Sequence, residues 1–163
     1  MDPKTILFLC DDNAARSLMA EAFVNSAARS RFRAFSAGFN PAASADADAL
    51  EVIAQVGIRA RGLHPKSWRK FTAPDGPAFD YAIHIGDTER PEITELKTKT
   101  KVTHWPISDR SIEAALGASR RAELLDLFAE IRQMAEATLL RPSTQLKRAL
   151  NREDRSRLSS CTP

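Results

Sequence analysis

Apolar and polar positions along this chain follow two rhythms: short unbroken apolar runs, and longer stretches in which apolar residues recur three and four apart. KTILFLC, residues 4–10, is a continuous run with a polar residue before it and turn residues after it, which predicts a buried strand. From Arg16 to about Ala28 the rhythm becomes helical, with Leu18, Met19, Ala22, Phe23 and Ala27 on one face. FRAFSAGFNP, residues 32–41, predicts a second strand closed by a Gly and Pro turn. A helix from about Asp46 to Val56 follows, with Gly57 suited to end it. KSWRKF predicts a further short helix, and Pro74, Gly76 and Pro77 punctuate before FDYAIHI, a third strand. Thr88 to Lys101 is polar and reads as a short helix and a loop, KVTHWPI as a fourth strand. Ala118 to Leu140 reads as a long amphipathic helix carrying Leu124, Leu125, Phe128, Ile131 and Leu139.

Strands alternating with helices predict an α/β fold with a parallel sheet joined by right-handed crossovers. Ligands of such sheets bind beyond the carboxyl ends of the strands. Cys10 ends the first strand and Asp109 lies just past the fourth, so both are expected at one edge. No repeat and no boundary interrupts the chain before Arg141, which gives one domain over residues 1–140 and a basic C-terminal tail over 141–163. That tail carries Arg141, Lys147, Arg148, Arg152, Arg155 and Arg157. It reads as flexible and solvated, with contact to an anionic surface as the alternative.

Composition narrows the picture. At 163 residues, 43% hydrophobic and 28% charged, the chain suits one globular domain with a real core. A net charge of +3 is too small to argue for a nucleic-acid partner. No apolar run approaches the ~18 residues of a membrane span. MDPKTILFLC lacks the basic start, long apolar centre and cleavage site of a signal peptide, so a cytoplasmic protein is expected. The two cysteines, Cys10 and Cys161, offer neither a disulfide framework nor metal-ligand spacing, and His64, His84 and His104 are scattered singly as structural or surface residues. No metal or resident cofactor is indicated, and nothing in the sequence sets the oligomeric state.

The chemistry concentrates in CDDNAARS, residues 10–17. Five residues separate Cys10 from Arg16, with Ser17 adjoining. Between a strand and a helix, this spacing turns main-chain N–H groups inward around a tetrahedral oxyanion, with the helix dipole adding positive potential. The expected oxyanion-binding set is Asp11, Asp12, Asn13, Ala14, Ala15, Arg16 and Ser17, with the Arg16 guanidinium able to hold two oxygens. The same donors are expected to lower the Cys10 pKa and make the thiolate a nucleophile. Ser17 has two options, a hydrogen bond to the sulfur or a helix cap. The competing reading is an inert buried cysteine beside a surface arginine.

ILFLCDDNAARSLMAEA, FRAFSAGFNP, HPKSW, FDYAIHIGD and VTHWPISD, in that order, resemble the low-molecular-weight protein tyrosine phosphatases and the arsenate reductases that share their fold. The resemblance covers about Lys4 to Leu140, and KSW and THW look more like the reductase branch. It implies a four-stranded parallel sheet with helices on both sides. It also implies Cys10 as nucleophile, Arg16 as oxyanion clamp, Asn13 as a left-handed brace and Asp109 as general acid toward a phosphate-ester oxygen.

Three departures follow. Asp11 and Asp12 stand where relatives carry Thr or Leu and then Gly. A carboxylate at about 7 Å would cost the thiolate 0.6–2.4 kcal/mol, and a dianion twice that; Asp12 would also strain a positive φ. Second, HIGDTERPEITEL contains no cysteine to relay electrons, so arsenate reduction would need a small-molecule thiol such as glutathione or mycothiol. Third, DRSIEAA lacks the paired aromatics of tyrosine phosphatases, leaving Trp68 either a pocket wall or a core residue. The functional expectation is a cysteine-dependent enzyme acting on phosphate, arsenate or phosphate monoesters. The alternatives are a weakened oxyanion-binding or regulatory relative and a partner-binding module acting through the tail.

Overall fold

The computed structural model describes residues 2–96, 98 and 102–141. The tail beyond Arg141, with Cys161, lies outside them. Four parallel strands form one sheet: β1 (Lys4–Cys10), β2 (Phe32–Gly38), β3 (Tyr81–Ile85) and β4 (Thr103–Trp105), in the order β2-β1-β3-β4. The central position of β1 explains its unbroken apolar run, since Ile6 to Cys10 are all 0% exposed.

Alternate residues of β1 face different cores. Ile6, Phe8 and Cys10 join Ile83, Ile85 and Trp105 beneath α1 (Arg16–Ala27), α2 (Ala47–Gln55) and α5 (Gly117–Thr138). Leu7 and Leu9 join Ala37, Ala82, Trp68 and Phe79 on the opposite face, covered by α3 (Arg69–Thr72) and a 3-10 turn at Pro91–Glu95. The sheet is therefore covered on both sides. Trp68 belongs to that second core, in tilted contact with Phe39.

Two local expectations are corrected. Ala27 is exposed and Ala28 is buried instead, because the chain turns back after α1 and the Arg31 and Phe32 amides donate to Ala28 O. Leu18, Met19, Ala20, Ala22, Phe23 and Val24 are all buried, more than one stripe, because α1 is packed against both the sheet and α5. DRSIEAA, without assigned structure at the sequence level, forms α4 (Arg110–Ala114), with Ile112 as its core anchor. Asp46 caps α2 through the Ala49 N–H and binds Arg120 of α5, which ties the two helices together near the loop of residues 10–16.

Candidate active site

The chain leaves β1 at Cys10 and enters α1 at Arg16, and the loop between them is fixed from outside. The Cys10, Asp11, Asp12 and Ala14 carbonyls accept hydrogen bonds from the Phe39, Asn40, Ala42 and Asp46 amides at 3.2, 2.8, 2.9 and 3.0 Å. The segment after β2 is thus a strap that pulls the loop carbonyls outward, while the Asn13 N–H faces the Cys10 sulfur and the Ala14 N–H faces the Asp12 carboxylate. Asn13, at φ 52°, makes the left-handed turn expected of it. Asp12 does not take a positive φ, so the strain anticipated there is absent.

Inside the loop, the Asn13 N–H donates to Cys10 Sγ at 3.2 Å, and Ser17 Oγ lies 2.9 Å from the same sulfur. That settles the role of Ser17: the N-cap of α1 is Ala15, without a side-chain cap. Asn13 Nδ2 bonds Ser17 Oγ at 2.7 Å and Ser36 Oγ at 3.0 Å, while its Oδ1 accepts the Lys66 N–H at 2.9 Å. Ser36 donates to Glu21, which Lys66 Nζ approaches at 3.5 Å. A hydrogen-bonded chain thus runs from the thiol to a Glu21–Lys66 ion pair.

Two carboxylates act on the centre in opposite ways. Asp11 points outward, pairing with Arg90 and accepting from Asn40 Nδ2 at 3.3 Å. Arg90 also lies over the Phe39 ring, 5.1 Å from its centroid, so the loop mouth gains a cation alongside the acid. Asp12 turns inward: its Oδ1 accepts the Ala14 N–H at 3.0 Å and stands 3.7 Å from Cys10 Sγ, about half the separation assumed from sequence. It occupies one of the amides that an oxyanion would use.

The Cys10 thiol is correspondingly not acidic. Complete burial pushes its pKa up, the Ser17 hydrogen bond and Arg16 charge pull it down, and the Asp12 charge pushes it up again; the sum is a raised value. The expectation of a lowered pKa fails because burial outweighs the hydrogen bonds and the positive charge.

Arg16 and Asp109 do meet. Arg16 Nη2 lies 2.9 Å from Asp109 Oδ2, Nη1 donates to Ile107 O at 3.1 Å, and the buried Nε has no acceptor among the described residues. A cavity of about 140 Å³ opens beside this guanidinium, bounded by Asp11, His84, Gly86, Asp87 and Arg90. His84 stacks on His104 across β3 and β4, with ring centroids 5.2 Å apart, and burial together with neighbouring positive charge lowers its pKa to about 4. A neutral imidazole therefore walls the cavity at pH 7.

All the loop residues named from sequence are brought together with Asp109. Sequence reasoning missed Arg90, His84 and the Lys66–Glu21 brace, since each reaches the loop from another element and none carries a motif of its own. Gly38 was visible in SAG: a Cβ there would lie 2.9 Å from Asn13 Cβ and 2.9 Å from Asp11 O, so only Gly admits the loop against β2. Among the described residues, no His, Cys, Asp and Glu cluster fits a metal ion, and no helix is long and apolar enough to cross a membrane.

Comparison with known proteins places this geometry in context. Residues 5–154 match the family model for low molecular weight phosphotyrosine protein phosphatase. No curated protein matches. Among solved structures, an arsenate reductase in the phosphate binding state is 20% identical, with 82% of this chain and 94% of that one covered at a TM-score of 0.63. The tyrosine phosphatase Wzb from Escherichia coli K30, in complex with sulphate, is 19% identical, with 83% and 98% covered at a TM-score of 0.56. The tyrosine phosphatase AmsI from Erwinia amylovora is 18% identical, with 83% and 90% covered at a TM-score of 0.54. At these identities the likeness is one of fold.

Proposed function

Because the chain belongs to the low molecular weight phosphotyrosine protein phosphatase family, we propose that it is a cysteine-dependent enzyme acting on tetrahedral oxyanions, and that it hydrolyses phosphate monoesters. The observation that carries this reading is the convergence of three groups: Cys10 under an amide-lined loop, Arg16, and Asp109 at 2.9 Å from Arg16. Arg16 and the loop amides bind the phosphoryl oxygens of the substrate dianion, the Cys10 thiol passes its proton to one of those oxygens, and Sγ attacks phosphorus. The P–O ester bond breaks, Asp109 donates a proton to the leaving oxygen, and a phosphocysteine remains. Water, deprotonated by Asp109, then releases phosphate and restores the thiolate. To enter this cycle Asp109 must leave Arg16, and an oxyanion bound by the guanidinium supplies the competing acceptor.

Asp12 sets the expected level of activity. Its carboxylate holds the Ala14 amide and lies beside the sulfur, so a substrate anion has to displace it. Weak turnover follows, and this is also the observation that favours the second reading, a family member that binds oxyanions without appreciable catalysis. Arsenate reduction is the other chemistry open to the loop. Cys10 is the cysteine among the described residues, so the disulfide relay would have to be completed by a small thiol, glutathione or mycothiol.

Hydrolysis of p-nitrophenyl phosphate by the purified protein tests the proposal. Slow release of nitrophenol, abolished in Cys10→Ser, is the expected result. Turnover no greater than that of Cys10→Ser leaves the oxyanion-binding reading. Arsenite formed from arsenate only when glutathione or mycothiol is supplied would instead assign the reductase.

A further inference from the structure

Arginines in the described fold mostly have partners. Arg16, Arg90, Arg110, Arg120, Arg121 and Arg132 face carboxylates; Arg31 caps the carbonyls that end α5, and Arg33 and Arg69 lie over aromatic rings. Arg29, Arg59 and Arg61 are different, as is Arg141 at the close of the described residues. Among the described residues, their side chains have no acid, carbonyl or ring partner.

The first three converge. Arg29 follows α1, while Arg59 and Arg61 lie in the turn between α2 and α3, and all line one groove of about 520 Å³. Gly57 at φ 85° and Gly62 at φ 88° bracket the turn, bending it around the groove so that both guanidinium-bearing residues stand at its rim. Three unpaired cations around a concavity repel one another and focus a positive potential into it. Among the described residues Glu21 is the one carboxylate lining the groove, and its charge is already engaged by Lys66 and Ser36.

We propose that this groove is a second anion site, separate from the Cys10 loop, for a small free phosphate anion of two or more charges, of the pyrophosphate class. Guanidinium forks match phosphate oxygens in pairs, and the exposed Ser26 hydroxyl at the same rim adds a neutral donor. The groove is open to solvent on one side, and its volume of about 520 Å³ suits one small molecule rather than an extended polyanion, in keeping with a net charge of only +3. The far edge is Glu21, the end of the hydrogen-bonded chain that leads through Ser36, Asn13 and Ser17 to the thiol.

Pyrophosphate titrated calorimetrically into the full chain at low salt tests the site. The wild type should bind it, and Arg29→Ala/Arg59→Ala/Arg61→Ala should weaken binding by about tenfold or more. Inhibition of Cys10-dependent hydrolysis by orthophosphate should stay the same in both proteins. The same titration in an Arg16→Ala background removes the clamp of the loop, and binding there should persist and be lost on adding the triple substitution. Equal affinity in wild type and triple variant, no binding by wild type, or binding abolished by Arg16→Ala in a protein that still melts cooperatively would each overturn the proposal. Absence of nitrophenyl phosphate hydrolysis would bear on the loop alone.

Discussion

At Cys10 burial opposes ionisation, and one neighbour adds to that opposition. Asp12 lies 3.7 Å from the sulfur and holds the Ala14 amide. Replacing it by Ala removes the like charge and frees the donor, so the pH midpoint of iodoacetamide alkylation should move down. Phosphate affinity should tighten by about 1 kcal/mol, roughly fivefold; an unchanged alkylation profile would mean the carboxylate does not act on the thiol. Asp11 is different, because Arg90 cancels its charge at the mouth. Removing both, in Asp11→Ala/Arg90→Ala, should alter phosphate affinity by less than about twofold, as befits an exposed pair. The sequence raised the cost of two aspartates in the loop but could not apportion it. Direction depended on Asn40 and Arg90, which are contiguous with neither aspartate. The nucleophile, clamp and brace were readable because they share one loop whose spacing is its geometry.

Helices and strands were read with similar success, and the exceptions have packing causes. A single apolar stripe was expected of α1, yet the helix is surrounded, so burial and stripe no longer coincide. The short α4 has one apolar anchor, Ile112, too little periodicity to announce a helix. More consequential is the strap from Phe39 to Asp46, an irregular segment whose amides hold four loop carbonyls. Its seat depends on Gly38, which has no room for a Cβ against Asn13 and Asp11. Gly38→Ala should therefore push the strap and loop apart, destabilising the protein by about 1–3 kcal/mol in urea unfolding. It should also expose Cys10 to faster alkylation under native conditions. A loss of stability without any gain in thiol reactivity would mean that the clash relaxes elsewhere.

For the molecule as a whole, the stacked His84 sets a response to acid. Its ordinary pKa of 6.5 falls to about 4 in the fold, so below neutrality the unfolded chain binds the proton more readily. Stability from this group is complete above pH 6.5 and is lost as pH falls toward 4. Between pH 7 and pH 5 the loss amounts to about 2 kcal/mol. Urea unfolding of the wild type should show that loss, and His84→Gln should lack it; parallel curves for the two would assign acid sensitivity to other groups. The histidines were read from sequence as isolated because the pairing of His84 with His104 exists only through β3–β4 register. One further contact organises the molecule at the end away from the Cys10 loop. Arg31 O accepts the Lys4 N–H, while the Arg31 guanidinium holds the Leu139, Leu140 and Arg141 carbonyls. The start of β1 and the close of α5 are thereby gathered at one pole, a strand length of roughly 20 Å from Cys10. An affinity matrix, a fluorophore or a sensor surface attached beside the start of β1 would leave the Cys10 pole facing solution.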